Sequence, residues 1–494
     1  NLNLRLGLRV DRFDANQWVL KDEFALYPTK TVGELPSTRL SEHEAPSNIG
    51  DEYVVYVDDP YSPTKVVGYR DGDRWYLADG SETNDPSIIA QESNTGTIAP
   101  YTNFSSKNEE NEIGLTEESF EDYKPQINVM PRVAVSFPIS DRAMFFANYD
   151  VLTQRPSAGN LATINSYYYL AAQASPTIGN PNLLPEKTIS YELGFQQTIG
   201  ENMSIKVNAY YKELRDMIQI VPRRYAYPAN YNTYGNIDFG TVKGFIFNYR
   251  LRPSIYSNNR NVTLEANYTL QFANATGSSA GTQAALINAG QPNLRTLQPT
   301  SSDRRHNFVL SLDYRYGRGE NYNGPISSGG KKLFQDMGIN LIGSALSGRP
   351  YSGQKNVTQA VSVGVAQRST IDGIINGNRY PWLFNVDARL DKSFPLVIGG
   401  KTDELTGTKT GGKAAAITVY LWAQNVFNTR NIVGLYRYTG LPDDDGWLAS
   451  AEGQQAMLTA SDVSSYIDVY TAKVQNPGNY TRPRLVRLGV VMSF

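Results

Sequence analysis

Chemistry in this chain would have to be built from few parts. The 494-residue sequence has two histidines, His43 and His306, and no cysteine. Thiol nucleophiles, disulfide frameworks and cysteine-based zinc sites are therefore excluded, and a Ser-His-Asp triad would have to recruit one of those two histidines. His306 opens an alternating segment beside Arg305 and is read as an interface or structural residue, and His43 lies in a long connection with no metal-binding partners nearby. Asp443-Asp444-Asp445-Gly446 is a hard-oxygen cluster beside a glycine, of a kind that can hold calcium, but it lacks EF-hand spacing. Asp71-Gly72-Asp73 suits a hairpin turn better, and Gly411-Gly412-Lys413 lacks the spacing of a phosphate loop. No catalytic constellation emerges, so the chain is expected to be no enzyme and to need no cofactor or metal.

Residues suited to binding are more plentiful. Tyrosines cluster as Tyr167, Tyr168 and Tyr169 and again as Tyr225, Tyr227, Tyr231 and Tyr234. Aromatic rings of this kind can stack on a sugar or grip a peptide; they also pack loops and mark membrane interfaces. Charges of both signs recur at alternating positions: Arg5, Arg9, Glu192, Lys206, Lys212, Glu265, Asp313, Asp387, Arg389, Asp391 and Arg487. Such a row is expected to form one polar, hydrated wall.

The elements that carry these residues are strands. Leu2, Leu4, Leu6, Leu8 and Val10 alternate with polar residues, as do Ile189–Phe195, Ile205–Tyr211, Val262–Leu270, Phe308–Tyr314, Trp382–Leu390 and Val486–Phe494. Period two makes one face apolar and the other polar. Weaker candidates at 127–138, 143–153, 242–252, 337–347 and 416–426 bring the total to about twelve strands, and amphipathic helix patterns are absent. Lys+Arg is 46 against Asp+Glu 48, a net charge of -2 that argues against nucleic acid as a partner. No run approaches the ~18–20 apolar residues of a spanning helix. With 33 Tyr, 41 Gly and 26 Pro and a mean hydropathy of -0.41, the composition suits a transmembrane β-barrel, in which only every second side chain meets lipid.

Connections sort by length. Those at 138–142, 199–203 and 253–260 are short; those at 20–126, 155–187, 220–240, 273–304, 348–378 and 428–481 are long. Segments 316–336 and 395–415 are longer than the short class should be. Barrels of the outer membrane place short turns inside and long loops outside, whereas a soluble sandwich has no reason to sort its loops. The first strand then rises to the outside, 20–126 and 428–481 are large extracellular loops, and Phe494 ends at the inner rim, where a terminal aromatic signals barrel insertion. The chain opens directly on a strand and is expected to be a processed or partial one.

Asn180–Phe195, NPNLLPEKTISYELGF, resembles the loop-to-strand motif of TonB-dependent outer-membrane transporters, above all the SusC-like, long-loop receptors of Bacteroidota. Gln424–Asn428, QNVFN, is similar to the end of the family's penultimate strand; Pro131–Phe146, Gly244–Leu251 and the terminal RLGVVMSF match in family order. The resemblance implies an all-β fold, an antiparallel barrel in which this chain supplies the C-terminal part of 22 strands, located in the bacterial outer membrane. It implies energy-coupled import of a ligand such as a glycan or peptide. The charged row would then face a plug domain of the same parent protein, Phe494 would act as the insertion signal, and the outer-loop tyrosines would meet ligand. Partners would be lipid, the TonB motor and a SusD-like surface lipoprotein. The family's plug and TonB box are not recognisable in this chain, which leaves a second expectation open: a structural barrel subunit of an outer-membrane secretion or assembly complex.

Overall fold

The computed structural model describes residues 2–157, 166–167, 170, 177–254, 261–359, 369–399, 401–402, 409–410 and 413–494. Its main sheet runs through twelve strands in chain order. They are β1 (Asn3–Phe13), β2 (Gln126–Ser140), β3 (Ala143–Gln154), β4 (Glu186–Ile199), β5 (Met203–Arg223), β6 (Tyr231–Leu251), β7 (Val262–Ala275), β8 (His306–Arg315), β9 (Met337–Leu346), β10 (Leu383–Ile398), β11 (Lys413–Gln424) and β12 (Leu485–Ser493). The short strand Gln298–Pro299 joins at the side of β7. Every neighbouring pair is antiparallel. β1 and β12 each pair on one side alone, so the sheet is open, with both edges unpaired among the described residues.

Alternation and register together make two continuous faces. One row runs Tyr249–Ala266–Leu310–Gly343–Val386 across five strands. Another runs Ile339–Leu390–Leu421–Leu488 to the edge. A one-residue slip in any pair would carry its whole apolar set to the opposite face, so each register reinforces the next. The apolar face is bare: Leu6, Leu8, Leu193, Phe384 and Leu488 are 72%, 69%, 56%, 51% and 75% exposed.

At the end of the sheet with the long connections, three expectations are corrected. Segment 220–240 is no loop. β5 and β6 pair from Met203↔Leu251 to Arg223↔Tyr231 and project beyond their neighbours as a long hairpin. A bulge between Leu214 and Ile218, with Asp216 at φ 56°, bends it where the sheet ends. Beyond the bulge Ile218, Ile220 and Val221 are buried, because other segments pack on both sides of the hairpin and local alternation no longer applies.

Segment 20–126, expected as a loop with possible hairpins at 53–57 and 74–78, carries strands at both places and is a folded domain. The strands Val54–Val57, Val66–Asp71, Arg74–Leu77, Glu82–Thr83 and Ala99–Pro100 form a five-stranded sheet. Val55, Val57, Tyr69 and Tyr76 pack on one side with Leu35 and Tyr101; Tyr56, Val67, Trp75 and Ile89 pack on the other. Burying each such side chain stabilises the domain by roughly 1.5–3 kcal/mol. Asp71-Gly72-Asp73 is the hairpin tip expected from the sequence, with Gly72 at φ 57°.

Helices do occur. Ala451–Leu458 and Val463–Val474 lie in the 428–481 connection, capped by Ser450 and Asp462 side chains that accept from the backbone N–H of Gly453 and Ser465. Tyr470 and Val474 bury against Trp447. Their apolar stripe is too narrow to stand out as periodicity; the two N-cap residues were the available signal.

Candidate functional site

The polar face of the sheet holds the expected charges, and the structure supplies their partners. Arg5 and Arg9 stand on β1, opposite Ala134 and Met130, with Arg9 forked onto Asp11 at 2.8 Å. Glu192 accepts from Asn208 at 2.6 Å and from Asn148 at 3.3 Å, tying β3, β4 and β5 together. Lys206 lies 4.6 Å above the Phe146 ring and Lys212 5.7 Å above Tyr210. Glu265 pairs with Arg250 at 2.7 Å, and Asp391 takes both arms of Arg315 at 2.9 Å, with Asp313 at 3.7 Å beside it. Asp387 accepts from Asn385 and from the Asn425 backbone, both at 2.8 Å. Arg389 and Arg487 lie over Tyr420 and Trp422 at 4.4 and 5.4 Å.

Several participants escaped the sequence reading. Arg132 with Asp150, Arg250 and Arg315 are on this face. So are three glycines covered by aromatic rings of a neighbouring strand. A Cβ on Gly194 would meet the Phe146 ring, one on Gly244 the Tyr210 ring and one on Gly489 the Tyr420 ring. Each glycine stands directly across the ladder from its aromatic, and a polar-face glycine facing an aromatic of the adjoining alternating segment was the available signal.

The two motif segments both act at the upper rim. Asn180 donates to the Tyr234 carbonyl, and Asn236 exchanges hydrogen bonds of 2.8 Å with the Leu184 backbone. Glu186 accepts from the Ile218 N–H beside the bulge, so NPNLLPEK clips the long hairpin to β4. In QNVFN, Asn425 and Asn428 adopt φ of 50° and 53°, conformations that Asn tolerates. They bind the Thr429 and Arg482 carbonyls and the Arg484 N–H.

The tyrosines lie where the domain meets the hairpin. Tyr227 exchanges backbone hydrogen bonds of 2.9 Å with Phe24 and Leu26. Its buried hydroxyl donates to the fully buried Glu110, which also accepts from Tyr61. Burial, then the Glu110 bond, push the Tyr227 hydroxyl far above the ordinary phenol range. Tyr231 donates to the Glu23 carbonyl at 2.7 Å and is likewise raised by burial. Tyr167 packs tilted on Phe120 at 5.7 Å, and Tyr225 edgewise on Trp75 at 6.2 Å. Arg223 pairs with Glu23, and Arg70 with Asp22. Tyr234 is half-buried on β6. Tyr168 and Tyr169 lie outside the described residues. These rings are thus joined to protein rather than presented as a free aromatic surface.

The remaining chemical candidates are also engaged. His43 meets the Tyr69 hydroxyl at 2.6 Å, and burial lowers its pKa. His306 stacks between Tyr268 and Trp382 at 6.2 and 5.6 Å. Asp445 accepts from Tyr470 and the Trp447 N–H, and Asp444 from the Gly446 N–H. Among the described residues no group of three His, Asp or Glu side chains is arranged to hold a metal. Gly411 and Gly412 lie outside them.

A family model described as "TonB dependent receptor-like, beta-barrel" matches residues 1–426. The chain belongs to the TonB-dependent receptor β-barrel family. Similar solved structures include the FrpB iron transporter from Neisseria meningitidis (12% identity, TM-score 0.37, covering 62% of this chain and 36% of that one). Others are the outer membrane transporter YddB from Escherichia coli (13%, 0.39, 62% and 38%) and the ferric citrate transporter FecA in the unliganded form (14%, 0.38, 77% and 40%). This TonB-dependent receptor chain thus spans 36% to 40% of the length of those three. No curated protein matches it.

Proposed function

We propose that this chain is the C-terminal part of the barrel of a TonB-dependent transporter in the bacterial outer membrane. The two-faced, twelve-stranded sheet, its edges unpaired among the described residues, carries the reading. The apolar face meets lipid; lipid cannot satisfy backbone polar groups, so the open edges call for further strands to close the cylinder. Phe384 and Phe394 are both exposed on that face of β10. Their separation of ~33 Å along the strand, at a tilt of ~40°, matches the ~25 Å apolar band between aromatic girdles. The polar face lines the lumen, and Arg5, Arg9, Glu192, Lys206, Glu265, Asp313, Asp387, Arg389 and Arg487 line the space of a plug domain. The domain at 20–126 and the helical 428–481 segment stand outside the cell. Tyr225, Tyr227, Tyr231 and Tyr234 fix the entrance, and Phe494 serves barrel insertion.

The parent protein imports a ligand, a glycan or peptide in a SusC-like receptor of Bacteroidota, with a SusD-like lipoprotein over the long connections and the TonB motor pulling on the plug. Deleting the TonB-contacting segment of the parent gene tests this. Loss of growth on glycans or peptides as sole nutrient, with the barrel still inserted, is the expected result. Unchanged growth, with stable co-purification of secretion or assembly proteins, would instead identify a structural subunit of such a machine.

A further inference from the structure

Two arginines stand side by side on the apolar face, at the rim with the long connections. Arg304 ends the 273–304 connection, and Arg349 follows β9. The β8–β9 ladder runs to Asn307↔Leu346, and beyond it the Ser347 N–H donates to the His306 carbonyl at 2.8 Å, a register that sets Arg304 opposite Arg349. The β9–β10 register also continues, with the Tyr380 N–H on the Arg349 carbonyl at 3.0 Å and Pro350 paired with Arg379. Arg304, Arg349 and Tyr380 therefore share the parity of Leu310, Gly343 and Val386, which is that of the apolar face. The Arg349 guanidinium lies 5.4 Å from the Tyr380 ring.

Like charges directly opposite one another destabilise a sheet, and no carboxylate answers this pair. Asp303, next in sequence, is buried and engaged by Arg379 and, at 3.7 Å, by Arg305. Arg304 is half-buried, with Nη1 enclosed, and its guanidinium makes no hydrogen bond or ion pair among the described residues. Arg349 is exposed; its Nη2 donates to the Val433 carbonyl at 3.2 Å, and it too has no ion pair among them. Burial and the Arg349 charge both lower the Arg304 pKa, so the two guanidiniums feel each other. Below them the face turns aromatic. His306 stacks on Trp382 at 5.6 Å and Trp382 on Phe384 at 6.0 Å, and Trp382, Phe384 and Phe308 are all exposed. Tyr380 lies ~13 Å beyond Phe384 along the strand and, at a tilt of ~40°, ~10 Å higher. That is headgroup depth, where long basic side chains reach anionic groups.

We propose that Arg304 and Arg349 hold the phosphate of a phosphorylated outer-leaflet lipid, with its acyl chains against Phe308, Trp382 and Phe384. Guanidiniums offer paired N–H donors that match phosphate oxygens, and a phosphate between the two turns their repulsion into two attractions. The wall beneath them is bare and apolar, so a lipid covers both parts of the surface where free phosphate covers one. The site rests on the barrel reading above and adds to it a preferred headgroup at a fixed place on the wall.

Native mass spectrometry of the complete protein that contains this chain, in an uncharged detergent, tests it with phosphatidate, the diacylglycerol of the same acyl chains and inorganic phosphate. Saturable retention of phosphatidate is expected, with little retention of diacylglycerol or inorganic phosphate. Arg304→Gln and Arg349→Gln should each weaken it by about tenfold. Lys331→Gln, which removes an exposed cation at the opposite rim, should leave it unchanged. The electrophoretic heat shift of a folded barrel verifies each variant. Retention of diacylglycerol or inorganic phosphate as strong as that of phosphatidate, or equal loss in Lys331→Gln and Arg304→Gln, would overturn the assignment. A protein that fails to insert into bilayers sinks the barrel reading and the site with it; an inserted protein indifferent to phosphatidate sinks the lipid site alone.

Discussion

Asp58 illustrates how one carboxylate organises a loop. It is 1% exposed and accepts from the Thr64 N–H at 2.8 Å, the Lys65 N–H at 3.1 Å and Asn94 at 3.0 Å. Burial alone would raise its pKa, but the Thr64 and Lys65 bonds outweigh it and hold the carboxyl below its ordinary 3.8. The stabilisation is therefore fully present above about 3.8 and is lost as pH falls through the lowered value. Asp58→Asn should cost the domain about 1–3 kcal/mol at neutral pH. It should also flatten the acid limb of its unfolding, followed by Trp75 fluorescence; an unchanged acid limb would remove Asp58 from this role. Arg315 is the corresponding residue of the sheet. Arg315→Ala leaves Asp391 buried and without its guanidinium, and a loss of about 1.5–3 kcal/mol in urea unfolding is expected. The further loss on replacing Asp391 in the same chain should be much smaller, as a double-mutant cycle would measure.

At the scale of elements, each strand carries two environments one residue apart. Leu310 lies on the apolar row between Ala266 and Gly343, and Ser311 on the polar row between Glu265 and Ile342. In a lipid-spanning sheet Leu310→Arg should cost about 2–4 kcal/mol of folding stability in bilayers, and Ser311→Arg far less. Equal costs would mean that the faces are misassigned. The same alternation made the twelve strands readable, weak candidates included, since a strand's pattern is set by its own residues. It failed where strands leave the sheet. In β5, Gln219 is fully buried beside Ile218 and Ile220, its amide bound to Asp238 and the Ser279 carbonyl. A segment buried on both sides has no alternation to detect.

For the whole molecule, β1 and β12, each paired on one side alone among the described residues, and the bare apolar face suit the barrel proposed above. Val486, Leu488, Val490 and Met492 continue the apolar row to Phe494, which is 91% exposed. Removing Phe494 should lower the quantity of protein reaching the outer membrane while leaving its synthesis unchanged, as fractionation would measure. Equal insertion would remove Phe494 from the insertion role. The domain at 20–126 docks on the β5–β6 hairpin through Phe24, Tyr225, Tyr227 and Tyr231, so truncating that hairpin should release the domain to protease without melting the sheet.

The sequence by itself determined the strands, their two faces, the mixed-sign charged row and the long connections, because each of these is written in residues two to a few dozen positions apart. Only the tertiary structure decided what the tyrosines touch, that segment 20–126 has cores of its own, and that 220–240 is a hairpin. Tyr227 meets Glu110 at a separation of 117 residues, and Tyr231 meets Glu23 at 208. Contacts over such distances depend on where the sheet places each connection, and no local period encodes that.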